Sequence, residues 1–447
     1  MENQATIGKG VDTITVLLYY ALVSVGFIAI FSVEFRDGDA FFQSLLELKK
    51  NYSKQVLFIG VSTLVAVFIL LTDSKFFTTI ANLLYMAGIL LMLLTFVIGK
   101  DISGSRSWIA LGGGFNLQPA ELCKVFTALA LAKYLSRQET EFTTFRSHAI
   151  AFALTLGPAL LSILQKETGL ALVYFSFFLV MYREGLPAIY LIAGFSIVVL
   201  FVTAIVFSFP VYAIFMAAAV VIACYVLWRK IRRNYGLLVF IILLAGACVG
   251  FKYFVDHIVF DKILKPYQAE RVLSMFGKSY IPKDAARIAQ FEKEREAGKK
   301  RDYNYNVKQS KIAIGSGGLL GKGFLKGVTT QGDFVPEQHT DFIFTAIAES
   351  FGFWGSALLL GLYFVLLFRI ITLAERQRST FSRVYAYSVA AILLFHVMIN
   401  ISMTIGLMPV IGITLPLLSY GGSSLVTFTI LIFIMLRLDA DRSMVLR

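Results

Sequence analysis

The sequence predicts an all-α polytopic membrane protein, a bundle of about twelve spanning helices with one large loop outside the bilayer. Three observations carry the prediction. Hydrophobic residues make up 57% of the 447 and charged residues only 15%, where a soluble domain carries about 25% charged. Apolar runs near the ~20 residues that a span requires recur at 13–33, 55–72, 76–98, 118–136, 147–165, 168–183, 186–208, 210–228, 235–256, 341–370, 383–408 and 420–437. Lys and Arg gather in short loops between alternate runs, the bias that orients a chain in a membrane.

That bias sets the sidedness. Lys133, Arg137 and Arg146 flank the loop after the fourth run, and Arg229, Lys230, Arg232 and Arg233 follow the eighth. Arg369, Arg376, Arg378 and Arg383 surround the loop after the tenth, and Arg437, Arg442 and Arg447 lie in the tail. With twelve spans all four groups share one side with both termini, which is expected to be the cytoplasm. The net charge of +13 therefore reads as orientation and gives no reason to expect nucleic acid as a partner. Cys123, Cys224 and Cys248 sit in apolar stretches without metal-like spacing, and the four histidines are scattered. Met1 to Asp12 lacks a cleavable signal pattern, so the first run is expected to stay as an anchor.

The chain then divides into residues 1–256, carrying nine runs and an outer loop at 99–117, a large extracytoplasmic loop at 257–340, and residues 341–447, carrying three runs and an outer turn at 409–419. Within the large loop, 281–303 is highly charged and reads as a mobile insert or an exposed helix. No internal repeat supports an inverted-repeat transporter.

Five constellations could carry chemistry. In the first, Arg106 beside Trp108 is an interfacial cation suited to a phosphate. Gln118 precedes Pro119, which is placed to open a helix, and Glu121 and Lys124 then share one helical face. Charge there is costly, so the pair either neutralises itself to hold the helix or borders a polar cavity. Second, Gln165-Lys166-Glu167 is a polar turn, an ordinary connection or the source of a second carboxylate. Third, the run from Gln309 to Gly327 fails the phosphate-loop pattern. It leaves a glycine-rich turn with Lys311, Lys322 and Lys326, a flexible surface loop or an anion site. Fourth, Glu337, His339, Thr340 and Asp341 stand where polar loop becomes apolar helix. Asp341 is an N-cap, a general base or a metal ligand, and Glu349 is an intramembrane carboxylate. Fifth, Gly406 to Ser424, with Pro409, Pro416, Ser419 and Ser423, breaks the helical pattern after His396 and Asn400. Such backbone must be buried in protein or line a wet cavity, so it reads as a re-entrant wall.

Taken in order, Arg106 to Trp108, Gln118 to Lys124, Tyr267 to Arg271, Gln309-Ser310, the glycine run, Pro336-Glu337, His339 to Phe344 and Pro409 to Ser424 resemble the SEDS family (shape, elongation, division and sporulation). The Gly-Lys-Gly-Phe-Leu-Lys-Gly ending is closer to its rod-shape branch than to its division branch. The resemblance implies a bacterial inner-membrane enzyme that polymerises lipid II into glycan strands beside a class B penicillin-binding protein and other elongation-complex membrane proteins. It makes Asp341 the catalytic residue and places Glu121 and Lys124 on its cavity. Arg106, Gln118, Arg271, Lys322, Glu337, His339, Thr340, Ser419 and Ser423 are the further expected substrate contacts. A divalent cation, Mg²⁺ or Mn²⁺, is expected, with no ligand set assigned. The chain departs from the family pattern in an extra hairpin near 210–256 beyond ten spans, in Gln165-Lys166-Glu167 for a usual Gln-Pro-Asp, and in the charged insertion after Arg271. Rival readings are a lipid II flippase, which should hold its key charges near the midplane, and a non-catalytic scaffold.

Overall fold

The structure is a computed structural model that describes residues 10–36, 47–102, 105–112, 115–137, 140, 142–264, 269–270, 272–273, 276, 278, 288–289 and 303–442. It forms two compact units, Met1–Leu186 with Asn306–Arg447, and Pro187–Tyr305. In chain order the first unit begins with α1 (Thr13–Glu34), α2 (Asn51–Leu71), α3 (Ser74–Ile98), α4 (Pro119–Leu135), α5 (Phe145–Leu164) and two short helices, α6 (Thr168–Tyr174) and α7 (Phe177–Arg183). The second unit holds α8 (Ile189–Val206), α9 (Phe209–Val226) and α10 (Tyr235–Phe254). The chain returns through α11 (Tyr303–Gly317) to α12 (Ile343–Glu375), α13 (Thr380–Thr404) and α14 (Gly422–Ala440).

Among the described residues ten helices are long and apolar enough to cross a membrane. The chain is therefore a multi-pass helical membrane protein. The remaining two apolar runs are occupied by α4, 17 residues long, and by the α6–α7 pair. Local chemistry starts the helices where the sequence provides acceptors for their orphan N–H groups. Asp12 accepts from Thr15 N–H at 3.0 Å, Asp73 from Lys75 N–H at 2.9 Å, and Thr144 from Ser147 N–H at 3.3 Å. Glu34 does the same from a distance, accepting from the backbone N–H groups of Asn51 (2.6 Å) and Tyr52 (3.2 Å) that open α2.

The first unit has two polar ends. One is laced by arginine pairs: Arg369 with Asp12, Arg376 with Asp439, Arg383 with Glu184 and Arg183 with Glu375. The other end holds the irregular backbone. There the predicted outer loop 99–117 is an antiparallel three-stranded sheet, β1 (Lys100–Ile102), β2 (Ser105–Gly112) and β3 (Phe115–Leu117), in the order β1-β2-β3. The otherwise all-α expectation did not include it.

The glycine-rich run is not a free surface loop. α12 is broken at Gly352 (φ 64°, ψ −156°), and residues 318–323 pair with the break. Phe353 N–H donates to Gly318 O (2.9 Å), Lys322 N–H to Glu349 O (3.0 Å) and Gly323 N–H to Ser350 O (3.0 Å). A Cβ on Gly321 would lie 2.2 Å from Ser350 O, so glycine is obligatory there.

In the second unit α8 to α10 carry exposed apolar faces, as lipid-facing helices do. Lys252 Nζ donates to Ala204 O (2.6 Å), and Lys278 Nζ to Ile205 O (2.7 Å) and Val206 O (2.9 Å). Two ammonium groups thus satisfy the last carbonyls of α8. α10 continues as a π-helix over Val255–Ile263. The charged segment 281–303 lies almost wholly outside the described residues.

Candidate functional site

The site is built around residues 406–421, which run without regular helix between α13 and α14. Its second half, 413–419, is mostly buried, as a re-entrant wall requires, whereas 406–412 is partly exposed, with Leu407 72% exposed. A Cβ on Gly26 of α1 would meet Leu418 Cα at 2.6 Å, and one on Gly169 of α6 would meet Ile413 Cγ1 at 2.9 Å. Tyr363 Oη donates to Pro416 O at 2.5 Å.

This wall holds Asp341. Asn400 Nδ2 donates both to Asp341 O (2.8 Å) and to Ile413 O (2.7 Å). Ser419 Oγ donates to Thr340 O (2.6 Å) and Tyr420 N–H to His339 O (2.8 Å). Three consecutive carbonyls, 339 to 341, are thereby fixed. Thr340 Oγ1 in turn donates to Glu337 Oε2 at 3.2 Å, and Glu337 sits at φ 56°, a conformation that costs a side-chain-bearing residue energy. Asp341 itself is half-buried, and its carboxylate lies against Gly412, where an added Cβ would stand 3.4 Å from Oδ2. It is not the N-cap of α12: Phe342 holds that position, with no side-chain capping bond.

His339 stands edge-on to Tyr420, ring centroids 5.8 Å apart. Burial pushes the Tyr420 phenol up to about 12, with help from the Glu34 carboxylate. Beside His339 opens a cleft of about 470 Å³, lined among others by Glu34, Arg36, Lys49, Lys50 and Glu337. Asp341 is not on its wall.

The other expected residues fall into different places. Gln118 gives its backbone N–H to Ser423 Oγ (3.2 Å), tying the start of α4 to that of α14. Glu121 and Lys124 form an ion pair, but Lys124 is only 1% exposed. The pair lies inside the bundle rather than on an open cavity. Arg106 is exposed on β2. Its neighbours Ser105 and Ser107 donate to Glu167 Oε1 (2.8 and 2.6 Å), so Glu167 anchors the sheet. Lys322 is committed to Glu349 at 2.9 Å. Glu349 is 0% exposed and accepts also from Thr329 N–H, Thr330 N–H and Thr330 Oγ1 at 2.6–2.9 Å. It is a structural anchor, not a reacting group. Arg271 lies outside the described residues.

Among the described residues no three His, Cys, Asp or Glu side chains converge on a metal position. The oxygen donors at hand, Asp341 and Glu337, suit a hard cation only if a substrate's phosphate oxygens complete the shell.

Asn400 and His396, which hold the 413–414 carbonyls, are the residues beside Asp341 that sequence reasoning named but left out of the site. Their signal was present: two polar side chains four residues apart in an apolar span.

Fold and site together define a polytopic membrane protein whose candidate site is a half-buried aspartate held by irregular backbone at one end of its bundle. Comparison with known proteins narrows the class. The FtsW/RodA/SpoVE model, described as a cell cycle protein, matches residues 12–225 and 208–444. The peptidoglycan glycosyltransferase RodA of Treponema pallidum is 28% identical, covering 96% of this chain and 97% of its own. The peptidoglycan glycosyltransferase MrdB of Escherichia coli K12 is 30% identical, covering 81% and 79%. The crystal structure of the Thermus thermophilus rod shape determining protein RodA aligns with a TM-score of 0.61 at 25% identity over 98% of this chain and 100% of that one. A chain from a peptidoglycan synthase complex, described as coordinating polymerization and crosslinking, aligns with a TM-score of 0.64 at 26% identity over 97% and 98%. This chain belongs to the FtsW/RodA/SpoVE family.

Proposed function

We propose that the chain is a peptidoglycan glycosyltransferase that joins lipid II disaccharides into glycan strands during cell elongation and rod-shape maintenance, releasing undecaprenyl diphosphate. The observation that carries the reading is the seating of Asp341: a half-buried aspartate whose backbone is fixed by Asn400 and by the largely buried stretch 413–419.

Asp341 accepts the proton of the attacking sugar hydroxyl. The oxygen forms its bond to the anomeric carbon as the bond from that carbon to the diphosphate breaks on the opposite face. One displacement gives inversion. The electron pair leaves with the diphosphate, whose departing charge calls for cations; the candidates are Arg106, exposed on β2, and, on the cleft beside His339, Arg36, Lys49 and Lys50, of which Arg36 is paired with Asp333 and Lys49 with Glu47. Glu337, His339, Thr340, Ser419 and Ser423 shape the surroundings of the base. A divalent cation held jointly by Asp341 and the substrate's phosphates would add Lewis-acid stabilisation of the leaving group.

The chain resides in the bacterial cytoplasmic membrane with both termini in the cytoplasm and Asp341 outside. The arginine pairs at the Asp12 and Asp439 end support this, because basic residues collect on the cytoplasmic side. The partner is a class B penicillin-binding protein, which cross-links the strands, together with other elongation-complex membrane proteins. Purified chain supplied with lipid II, with and without that partner, separates the readings. Glycan ladders on a gel are expected. No ladder in either case would leave a flippase or a scaffold instead.

A further inference from the structure

The Glu121–Lys124 pair is enclosed, so it cannot act by touching a lipid-linked sugar. Its contacts lead elsewhere. Lys124 Nζ lies 2.9 Å from His396 Nε2, and His396 Nδ1 lies 3.2 Å from Thr414 O. A carbonyl only accepts, so Nδ1 carries the proton and Nε2 accepts from the ammonium. The tautomer is fixed from both sides. Phe428 closes the box, 4.4 Å from Lys124 Nζ to its ring centre and edge-on to His396 at 4.9 Å. His396 is 0% exposed.

Asn400 stands four residues after His396 on α13, on the same helical face. The two side chains grip consecutive carbonyls of the wall: His396 takes Thr414, Asn400 takes Ile413 and, with its second N–H, Asp341. Two sets of hydrogen bonds, joined through the 413–414 backbone, therefore link a buried ion pair to the main chain of Asp341. We propose that His396 is a positioning residue of the glycosyl transfer. It couples the Glu121–Lys124 pair to the 413–414 backbone, and with Asn400 it sets where Asp341 stands. The pair thereby serves the reaction without contacting the substrate. This inference rests on Asp341 being the base.

The test uses purified full-length protein with lipid II. His396→Leu removes both bonds. His396→Gln keeps them, since an amide donates through nitrogen and accepts through oxygen. The leucine variant is expected to lose about 10- to 100-fold in kcat, the penalty of a reacting group misplaced by about 1 Å, with KM for lipid II unchanged. The glutamine variant is expected to recover most of that loss. Wild-type kcat in a folded leucine variant overturns the proposal, as does a raised KM at unchanged kcat, which would mean substrate contact. A folded glutamine variant as impaired as leucine overturns it too, because the imidazole would then be reacting. If the leucine variant does not fold, His396→Asn, too short to reach both partners, takes its place with the same expected loss. Asp341→Asn in parallel keeps the two claims apart: wild-type activity in that variant defeats the assignment of the base and the positioning role with it, whereas an inactive Asp341→Asn beside a wild-type kcat in the leucine variant defeats the positioning role alone.

Discussion

Two carboxylates eight residues apart, where a loop runs into α12, end up in different surroundings. Glu349 is sealed, and its two oxygens accept from an ammonium, two backbone N–H groups and a hydroxyl. Asp341 is half-buried; it is its main chain, not its carboxylate, that Asn400 secures. The difference teaches how an active carboxylate is told from a structural one in a membrane protein. Both are expensive at that depth. Glu349 spends its oxygens on holding the fold, whereas Asp341, the proposed base, has its main chain fixed by Asn400.

The largest expected effect breaks that comparison on the stability side. Glu349→Ala strands Lys322 and three buried donors of the segment 327–330, at a cost of about 3–5 kcal/mol. The thermal midpoint in detergent should fall sharply, with activity lost only because the protein unfolds. An unchanged midpoint would mean that Glu349 does not anchor the loop. Gly412→Ala sharpens the activity side. At φ 79° the alanine costs about 1–2 kcal/mol, and its methyl reaches van der Waals contact with the Asp341 carboxylate. We expect a modest midpoint shift but a clear drop in kcat at constant KM.

The smallest effect is a control at the far end of the bundle. Burial pushes the Asp12 carboxyl up, but hydrogen bonds from Arg369 and Thr15 outweigh it and hold the group at about 2, below its ordinary 3.8. A depressed carboxyl stabilises the fold above its unfolded pKa and stops doing so as pH falls through the folded one. The midpoint gap between wild type and Asp12→Asn should therefore be full at pH 5 and close towards pH 2. A gap that stays constant over that range would show that the pair does not form.

Much of this arrangement was legible in the sequence. Every apolar run overlies a helix, because length and hydropathy in lipid leave the backbone little choice. Pro409, Pro416 and the glycines announced irregular backbone, and its second half, 413–419, packs against α1, α6 and α12. What stayed hidden depended on contacts distant in sequence. Nothing local to Glu121 and Lys124 shows that His396, 272 residues from Lys124, completes their pair inside the bundle. Nothing local to Lys322 shows that Glu349 claims it. The 100–117 sheet was missed because its polar, glycine-rich sequence also suits a plain loop. The break at Gly352 was missed because one glycine in a long apolar run reads as tolerable in a helix.

The central claim is that the carboxylate of residue 341 performs the chemistry without holding the fold together. Glycan-strand synthesis from lipid II by purified Asp341→Asn, measured beside its thermal midpoint, tests it most directly. The account predicts a midpoint equal to wild type and a rate lower by about 10²–10⁴-fold, the usual contribution of a positioned base. Strand synthesis at the wild-type rate by that variant would contradict it.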